Sequence, residues 1–407
     1  MVAPQRRLAL RDQTLIECGG TRNKSRSVSW NSTGQYLASG SSDRFAKIFS
    51  VEHATSGVGR ELQSLTGHQA TVERVRFHPT EPTVLVTAGN DATVRVWDAR
   101  VAGASRCTGR IDLRADRKRY PAPCVASVEW HPGIAPVGAA GGNGGVLRYL
   151  VVAEKDDSVH VYDARRLSAG STSSRGGRSG TAPAQGSAEP VRSFNLRPDV
   201  LQEALFSPSG THLVAATKSG TTGMGEIRAW AWDAPASAEG EEETPKTHST
   251  FVGHTGPIYT LRFSPDGTRL ASGGFDSLVG LWDVESMVCR RTIARRTKFV
   301  RSVAFSSDGG VVATSTEEDG IDIADSETGE QLGIVKLWSD ERRQIRSRLG
   351  LGIQGGGADE LCFHPRSMVL ACARGFEGHT AAPGGLAPPQ NAVPAMVTVA
   401  RLGFSSA

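Results

Sequence analysis

The sequence predicts an all-β chain folded as a seven-bladed β-propeller. Three observations carry that prediction: a short motif repeated seven times, a strand-turn-strand rhythm after most copies, and a composition rich in turn formers. The motif is a small or apolar residue, any residue, an aromatic, then His, Ser or Asn. Its copies are "SVSWNSTG", "RVRFHPTE", "SVEWHPGI", "EALFSPSG", "TLRFSPDG", "SVAFSSDG" and "ELCFHPRS". Their aromatics are Trp30, Phe77, Trp130, Phe206, Phe263, Phe305 and Phe363. The nearest two, Phe263 and Phe305, stand 42 residues apart, close to the roughly 40–45 residues of one propeller blade. The 47 Gly and 20 Pro among 407 residues, with Val, Thr, Ser and Phe in short runs, favour many short strands over helices.

After most copies comes an apolar run such as "YLASG", "VLVTAG" or "RLASGG", then a polar turn and an alternating strand such as "TVRVWDA". One small twisted sheet cannot bury both of its faces. Set radially, each sheet covers a face of each neighbour. The blades are expected at 25–65, 71–113, 124–196, 201–252, 258–294, 300–338 and 358–403. The last copy offers only three strands, "ELCFHP", "MVLACA" and "MVTVARL". The fourth is expected from the N-terminus, at 11–18, pairing beside Met396 to Leu402 and removing an open edge.

Larger separations mark insertions. Residues 165–190, "RRLSAGSTSSRGGRSGTAPAQGSAEP", are Gly/Ser-rich without apolar periodicity and are expected to be disordered within blade 3. An acidic loop is expected at 234–248, a basic one at 340–357, and a Pro/Gly loop inside blade 7.

The net charge of +4, from 46 basic and 42 acidic residues, is too weak a bias to select nucleic acid or membrane partners. Six cysteines far apart, with no CxxC, and no hydrophobic leader ahead of the first strand-like run, lead us to expect a reduced, intracellular protein. No apolar stretch approaches the eighteen or so residues of a membrane-spanning helix, so no membrane partner is expected. The histidines are scattered, Cys362 and Cys372 lack partners at zinc spacing, and the Gly-rich stretches carry no GKS or GKT. Neither a cofactor nor a metal nor a small-molecule substrate is expected.

A finer spacing recurs inside the blades. Ser272, Asp276 and Trp282-Asp283 are matched at the same offsets by Thr87, Asp91 and Trp97-Asp98, and by Ser39, Asp43 and Phe49. This pattern resembles the WD40 repeat. In that family a His before the first strand, a Ser or Thr on the second, an Asp in the tight turn and a Trp on the third form a buried hydrogen-bonded chain. The resemblance implies such tetrads at His68, Thr87, Asp91 and Trp97 in blade 2, and at His254, Ser272, Asp276 and Trp282 in blade 5. A catalytic triad is the competing reading of these residue types. Their recurrence in separate blades argues against it, because a nucleophile needs one site. The pattern decays elsewhere: blade 1 lacks the His, blade 3 offers Asp156 and Tyr162, and blade 6 offers Thr314, Glu318 and Ala324 with no Trp.

Residues 275–332, with the Trp-less "IDIADSETGE", resemble blades 5 and 6 of the THO complex subunit 3 family, as do "LASGSSDRFAKIF", "GHQATVERVRFHPTEPTVLVTAGNDATVRVWDAR" and "EKDDSVHVYDAR". That resemblance implies a non-catalytic scaffold in the nucleus. It would work within the THO/TREX assembly, which packages nascent messenger RNA for export, held by a large helical subunit. A second expectation rests on "VWDAR". Arg100, two residues after Asp98, resembles the WDxR box by which some WD40 proteins dock onto a cullin-4 ubiquitin ligase adaptor. A third concerns RNA. Arg295, Arg296, Lys298 and Arg301, the run Arg114 to Arg119, and the arginines of 342–348 could meet phosphates. With acidic neighbours, and with no aromatic platform expected beside them, only weak or indirect RNA contact is anticipated.

Overall fold

The computed structural model describes residues 8–21, 24–51, 58–100, 107–113, 124–132, 149–155, 157–167, 189–232, 249–337, 357–374 and 395–406. Among these residues there are 28 strands and one four-residue helical turn, Ala164–Leu167. The strands form seven four-stranded antiparallel meanders, two of which are joined by backbone pairing into one sheet at the seam of the ring.

The first strands of the blades are Ser25–Trp30, Val72–Phe77, Val125–Trp130, Val200–Phe206, Ile258–Phe263, Val300–Phe305 and Ala358–Phe363. Each packs against the first strand of the next blade, and the last packs against the first, so these seven strands form the innermost ring. Seven apolar clusters fill the seven junctions, one between each pair of neighbouring blades. Between blades 4 and 5, for example, Leu205, Val214, Ala216 and Ile227 meet Ile258, Leu261, Leu270 and Trp282. No blade holds a core of its own, which is why the alternating pattern has to repeat around the whole circle.

The N-terminal strand closes the ring, as the sequence predicts. Leu8–Thr21 pairs antiparallel with Ala395–Ser406, with Gln13 opposite Leu402 and Cys18 opposite Val397, and becomes the outer strand of blade 7. It also touches the outer strand of blade 1 through Glu17 and Cys18, opposite Val58 and Gly59. Ile16 and Cys18 are buried at the junction between blades 7 and 1.

The helical turn Ala164–Leu167 occupies the beginning of the segment expected to be without structure, and Leu167 is buried against blade 2. An apolar residue within reach of the groove beside Gly109 is enough to hold that first turn. Residues 168–188, the acidic loop, nearly all of the basic loop and the Pro/Gly loop lie outside the described residues, as do Asp156, Arg114 to Arg119 and the arginines of 342–348.

All seven blades share one irregularity. Pairing between the first and second strands slips by one residue at the same point, between Ser25/Ser27, Val72/Arg74, Val125/Ser127, Leu201/Glu203, Ile258/Thr260, Val300/Ser302 and Ala358/Glu360. A β-bulge re-aims the side chains beside it. Here the residue after the bulge faces the next blade and accepts a backbone N–H from it at five junctions. Ser27 accepts from Val75, Ser127 from Ala204, Glu203 from Leu261, Ser302 from Leu361, and Glu360 from Val28.

Candidate interaction surfaces and the buried tetrads

The two tetrads are assembled by their turns. In blade 5 the Asp276 carboxylate accepts the Leu278 N–H across the turn, with Ser277 in the left-handed region at φ 67°. It also accepts the Thr255 N–H from the neighbouring segment, fixing its position before any side chain joins it. His254 Nδ1 then lies 2.9 Å from Asp276 Oδ1, His254 Nε2 lies 2.7 Å from Ser272 Oγ, and Trp282 Nε1 donates to the same hydroxyl at 2.8 Å. Blade 2 repeats this: His68 Nδ1 is 3.1 Å from Asp91, His68 Nε2 is 2.7 Å from Thr87 Oγ1, and Trp97 Nε1 is 2.8 Å from that oxygen. Since the indole N–H can only donate, the hydroxyl is free to donate its O–H to the imidazole Nε2, and the other ring nitrogen donates to the carboxylate. Every polar atom in the chain then has a partner.

Burial pushes the Asp91 carboxyl up, but hydrogen bonds from His68, the Gln69 N–H and Thr93 outweigh it and hold the group well below the usual carboxylate range. The packing around the histidines also explains a glycine two residues before each Asp. A Cβ on Gly274 would come within 2.6 Å of His254 Nδ1 and 2.8 Å of Asp276 Oδ1, and Gly89 is equally hemmed in by His68 and Asp91.

Hydroxyl, imidazole and carboxylate stand in the order and at the distances of a hydrolytic triad. The Ser272 and Thr87 side chains have no solvent exposure, however, and an indole N–H occupies each oxygen. No substrate carbonyl can reach either hydroxyl.

The remaining blades depart from this pattern in complementary ways. In blade 4, Trp230 stands opposite Leu213 as Trp282 stands opposite Leu270, but Ala215 takes the hydroxyl's place and the buried Trp230 Nε1 has no partner among the described residues. Blade 6 keeps the hydroxyl of Thr314 and puts Ala324 where the Trp would be, and Thr314 Oγ1 is left unpartnered among the described residues. Blade 1 has Ser39 with Phe49 opposite Leu37, and Ser39 Oγ is unpartnered there too. In blade 6 an Arg-Glu pair stands in for His-Asp. Arg296 Nη1 lies 3.2 Å from Glu318 Oε2, and the Thr297 N–H donates to Glu318 as Thr255 does to Asp276.

The channel holds a charged network that links blades far apart in the chain. Arg76 donates to Glu360 at 2.5 Å and to Glu129 at 2.8 Å, and Arg262 donates to Glu203 at 2.7 Å and to Glu360 at 3.1 Å. Burial disfavours the Glu360 carboxylate, yet Arg76, Arg74 and Arg262 outweigh it and bring the group down to about 2.

At one end of the channel the extra residues of the seven bulges converge. Arg26, Glu73, Ala126, Gln202, Tyr259, Arg301 and Asp359 all line one cavity of about 540 Å³, the channel mouth. Of the four basic residues of the 295–301 run expected to meet RNA, three are held within the molecule. Arg295 Nη2 lies 2.6 Å from the fully buried Asp322, Arg296 pairs with Glu318, and Arg301 lies 2.5 Å from Glu317. Lys298 is exposed and makes no ion pair among the described residues. The expectation of no aromatic platform is overturned, because Tyr259, Phe275 and Phe299 gather beside Arg301. Two of these come from blade 5, too far away in sequence to be seen beside the basic run. Arg100 is exposed on another part of the surface and its guanidinium closes on Asp98, with Nη2 to Oδ2 at 2.6 Å.

Comparison with known proteins agrees with the architecture. The repeat family described as "WD domain, G-beta repeat" matches residues 14–50, 59–98, 245–283 and 287–321. THO complex subunit 3 of Arabidopsis thaliana is 26% identical over 313 residues, covering 77% of this chain and 80% of that protein. WD repeat-containing protein AAC3 of Dictyostelium discoideum is 23% identical over 305 residues, 71% of this chain and 52% of that one. Pre-mRNA-processing factor 19 of Oryza sativa subsp. japonica is 26% identical over 236 residues, 58% of this chain and 34% of that one. Propellers of this kind generally serve as non-catalytic scaffolds. The chain therefore carries repeats of the WD40 type, folds as a seven-bladed propeller closed by its N-terminal strand, and is similar to THO complex subunit 3.

Proposed function

We propose that this chain is a non-catalytic scaffold subunit of the THO/TREX assembly, working in the nucleus during the packaging and export of messenger RNA. The supporting observation is the extent of the similarity to THO complex subunit 3, which spans 77% of this chain and 80% of that protein rather than one or two repeats. Sheltered hydroxyls, junction cores and a cross-channel ion network give a rigid ring whose rims and outer faces are its usable surface. Its partners in this reading are the other THO/TREX subunits, above all a large helical one, and no small-molecule substrate.

A broader reading, an adaptor elsewhere in RNA processing, draws on the likeness to pre-mRNA-processing factor 19. Docking on a cullin-4 ligase adaptor through Arg100 is the weaker alternative, since that guanidinium is already paired with Asp98. Affinity purification of the tagged full-length chain from nuclear extract, read by mass spectrometry, tests all three. Recovery of the THO subunits, unchanged by Arg100→Ala, is the expected result. A set made of splicing proteins, or a ligase adaptor lost in Arg100→Ala, would overturn the THO reading.

A further inference from the structure

The channel mouth carries features that packing does not require. Phe275 is 57% exposed, at the tip of the turn whose Asp276 faces inward to His254. Its ring lies within 14° of parallel to that of Phe299, with centroids 6.3 Å apart. Tyr259 meets Phe299 edge-on at 5.7 Å, and the Arg301 guanidinium sits 4.8 Å over the Phe299 ring. The exposed ring does not stand alone but tops a cluster of three aromatics and a guanidinium, and planar groups already layered against one another extend readily by one more.

The charges beside this cluster favour an anion. Four cations line the cavity, Arg26, Arg74, Lys155 and Arg301, against two carboxylates, Glu73 and Asp359. Arg26 is shared between the two carboxylates, 3.9 Å from Glu73 and 3.6 Å from Asp359, and Arg301 is paired with Glu317, which leaves Arg74 and Lys155 without an ion pair among the described residues. Glu73 accepts from Asn90 at 2.7 Å and Asp359 lies 3.2 Å from Lys24 Nζ. Lys298, next to Phe299 in the chain, adds an exposed ammonium. A flat aromatic surface beside uncompensated positive charge is the combination that single-stranded nucleic acid uses, with bases on the rings and phosphates on the cations.

We propose that the blade 5 and blade 6 side of the channel mouth binds single-stranded nucleic acid, with Phe275 and Phe299 stacking a base and Lys298 and the rim cations contacting phosphates. The cation excess alone would also suit an acidic peptide, but such a peptide has no need of a flat, exposed ring. The inference does not depend on THO membership, because the purified chain is enough to test it.

The experiment is fluorescence anisotropy of labelled 12-nucleotide RNA and DNA oligomers with the purified full-length chain across a salt series. Unlabelled polyglutamate serves as a competitor. Binding is expected to fall with salt, and Phe275→Ala is expected to weaken it about fivefold or more, the loss of one stacked base. Phe275→Trp should retain it, and Lys298→Ala should reduce the log–log salt slope by about one. Tighter binding of RNA than DNA would place a 2′-hydroxyl reader in the site, and equal binding would rest the contact on bases and phosphates alone. Either is consistent with the proposal. Absence of binding at low salt, affinity untouched by Phe275→Ala in a protein with an unchanged melt, or Phe275-dependent displacement by polyglutamate would each overturn it.

Discussion

Blades 5 and 6 are neighbours of the same design, yet they solve one problem differently. Blade 5 threads Trp282, Ser272, His254 and Asp276 into a chain with no orphaned atom. Blade 6 replaces the indole with Ala324 and the His-Asp pair with Arg296 and Glu318, and leaves the Thr314 hydroxyl buried without a partner among the described residues. What the two share is the apolar junction and the bulge at Thr260 and Ser302. The difference teaches that the tetrad is an optional reinforcement of a single blade, whereas junction cores and closure are what every blade requires.

The largest expected effect comes from breaking what the blades share. Removing residues 1–18 strips the outer strand from blade 7 and exposes an edge along Ala395–Ser406. The truncated protein should melt far below the full chain. An unchanged melting temperature would show that closure does not depend on this strand.

Next comes the channel. Glu360→Ala leaves the buried Arg76 with Glu129 alone and the half-buried Arg262 with Glu203 alone, and removes the acceptor of the Val28 N–H, a change expected to cost about 1–3 kcal/mol in a denaturant titration. The same group gives a pH signature. Its folded-state value is depressed to about 2 from an ordinary 4.5, so its contribution is complete above about 4.5 and is lost as pH falls toward 2. Glu360→Gln should flatten the pH dependence of stability over that interval. Identical acid profiles for the two proteins would remove Glu360 from the account.

Within the blades the comparison becomes direct. Asp276→Ala leaves His254 Nδ1 and the Thr255 and Leu278 amides without their acceptor, at about 1–3 kcal/mol. Glu318→Ala removes a half-exposed partner of Arg296 and Thr297 and should cost less than about 1 kcal/mol, near the range of solvent-screened pairs. Equal losses would mean that blade 6 has a tetrad in different chemical form. The smallest effect is Thr314→Val, which replaces an unpartnered hydroxyl with a methyl of similar shape. The matched melts should agree or show the variant gaining up to about 1 kcal/mol, and a clear loss would reveal a partner for that hydroxyl.

How much of this could be read from the chain follows from separation in sequence. The offsets of Ser272, Asp276 and Trp282 lie within eleven residues, and a period of two or a fixed turn makes such patterns visible. Closure was legible for a different reason: a three-stranded last repeat demands a fourth strand, and "DQTLIEC" alternates suitably. The contacts that bind blade to blade were not legible. Val28 meets Glu360 across 332 residues and Arg76 meets Glu360 across 284, and neither residue has a local pattern to announce it. The bulges leave no mark in the sequence because one slipped residue does not alter alternation enough to stand out. The aromatic cluster has no sequence signature because Phe275, Phe299 and Tyr259 meet only once the ring forms. The basic run at 295–301 misled in the opposite sense, since the acids that neutralise most of it lie about twenty residues onward in the next turns.

The central claim is that the tetrads are structural reinforcement and that recognition happens elsewhere. The most direct measurement pairs a thermal melt with co-purification of the proposed THO partner for Asp276→Ala and Trp282→Phe, at a temperature where both variants are fully folded. The account predicts lowered melting temperatures, more for Asp276→Ala than for Trp282→Phe, with recovery of the partner equal to that of the unmodified chain. Loss of the partner from a folded variant would contradict it and make the tetrad itself a recognition site.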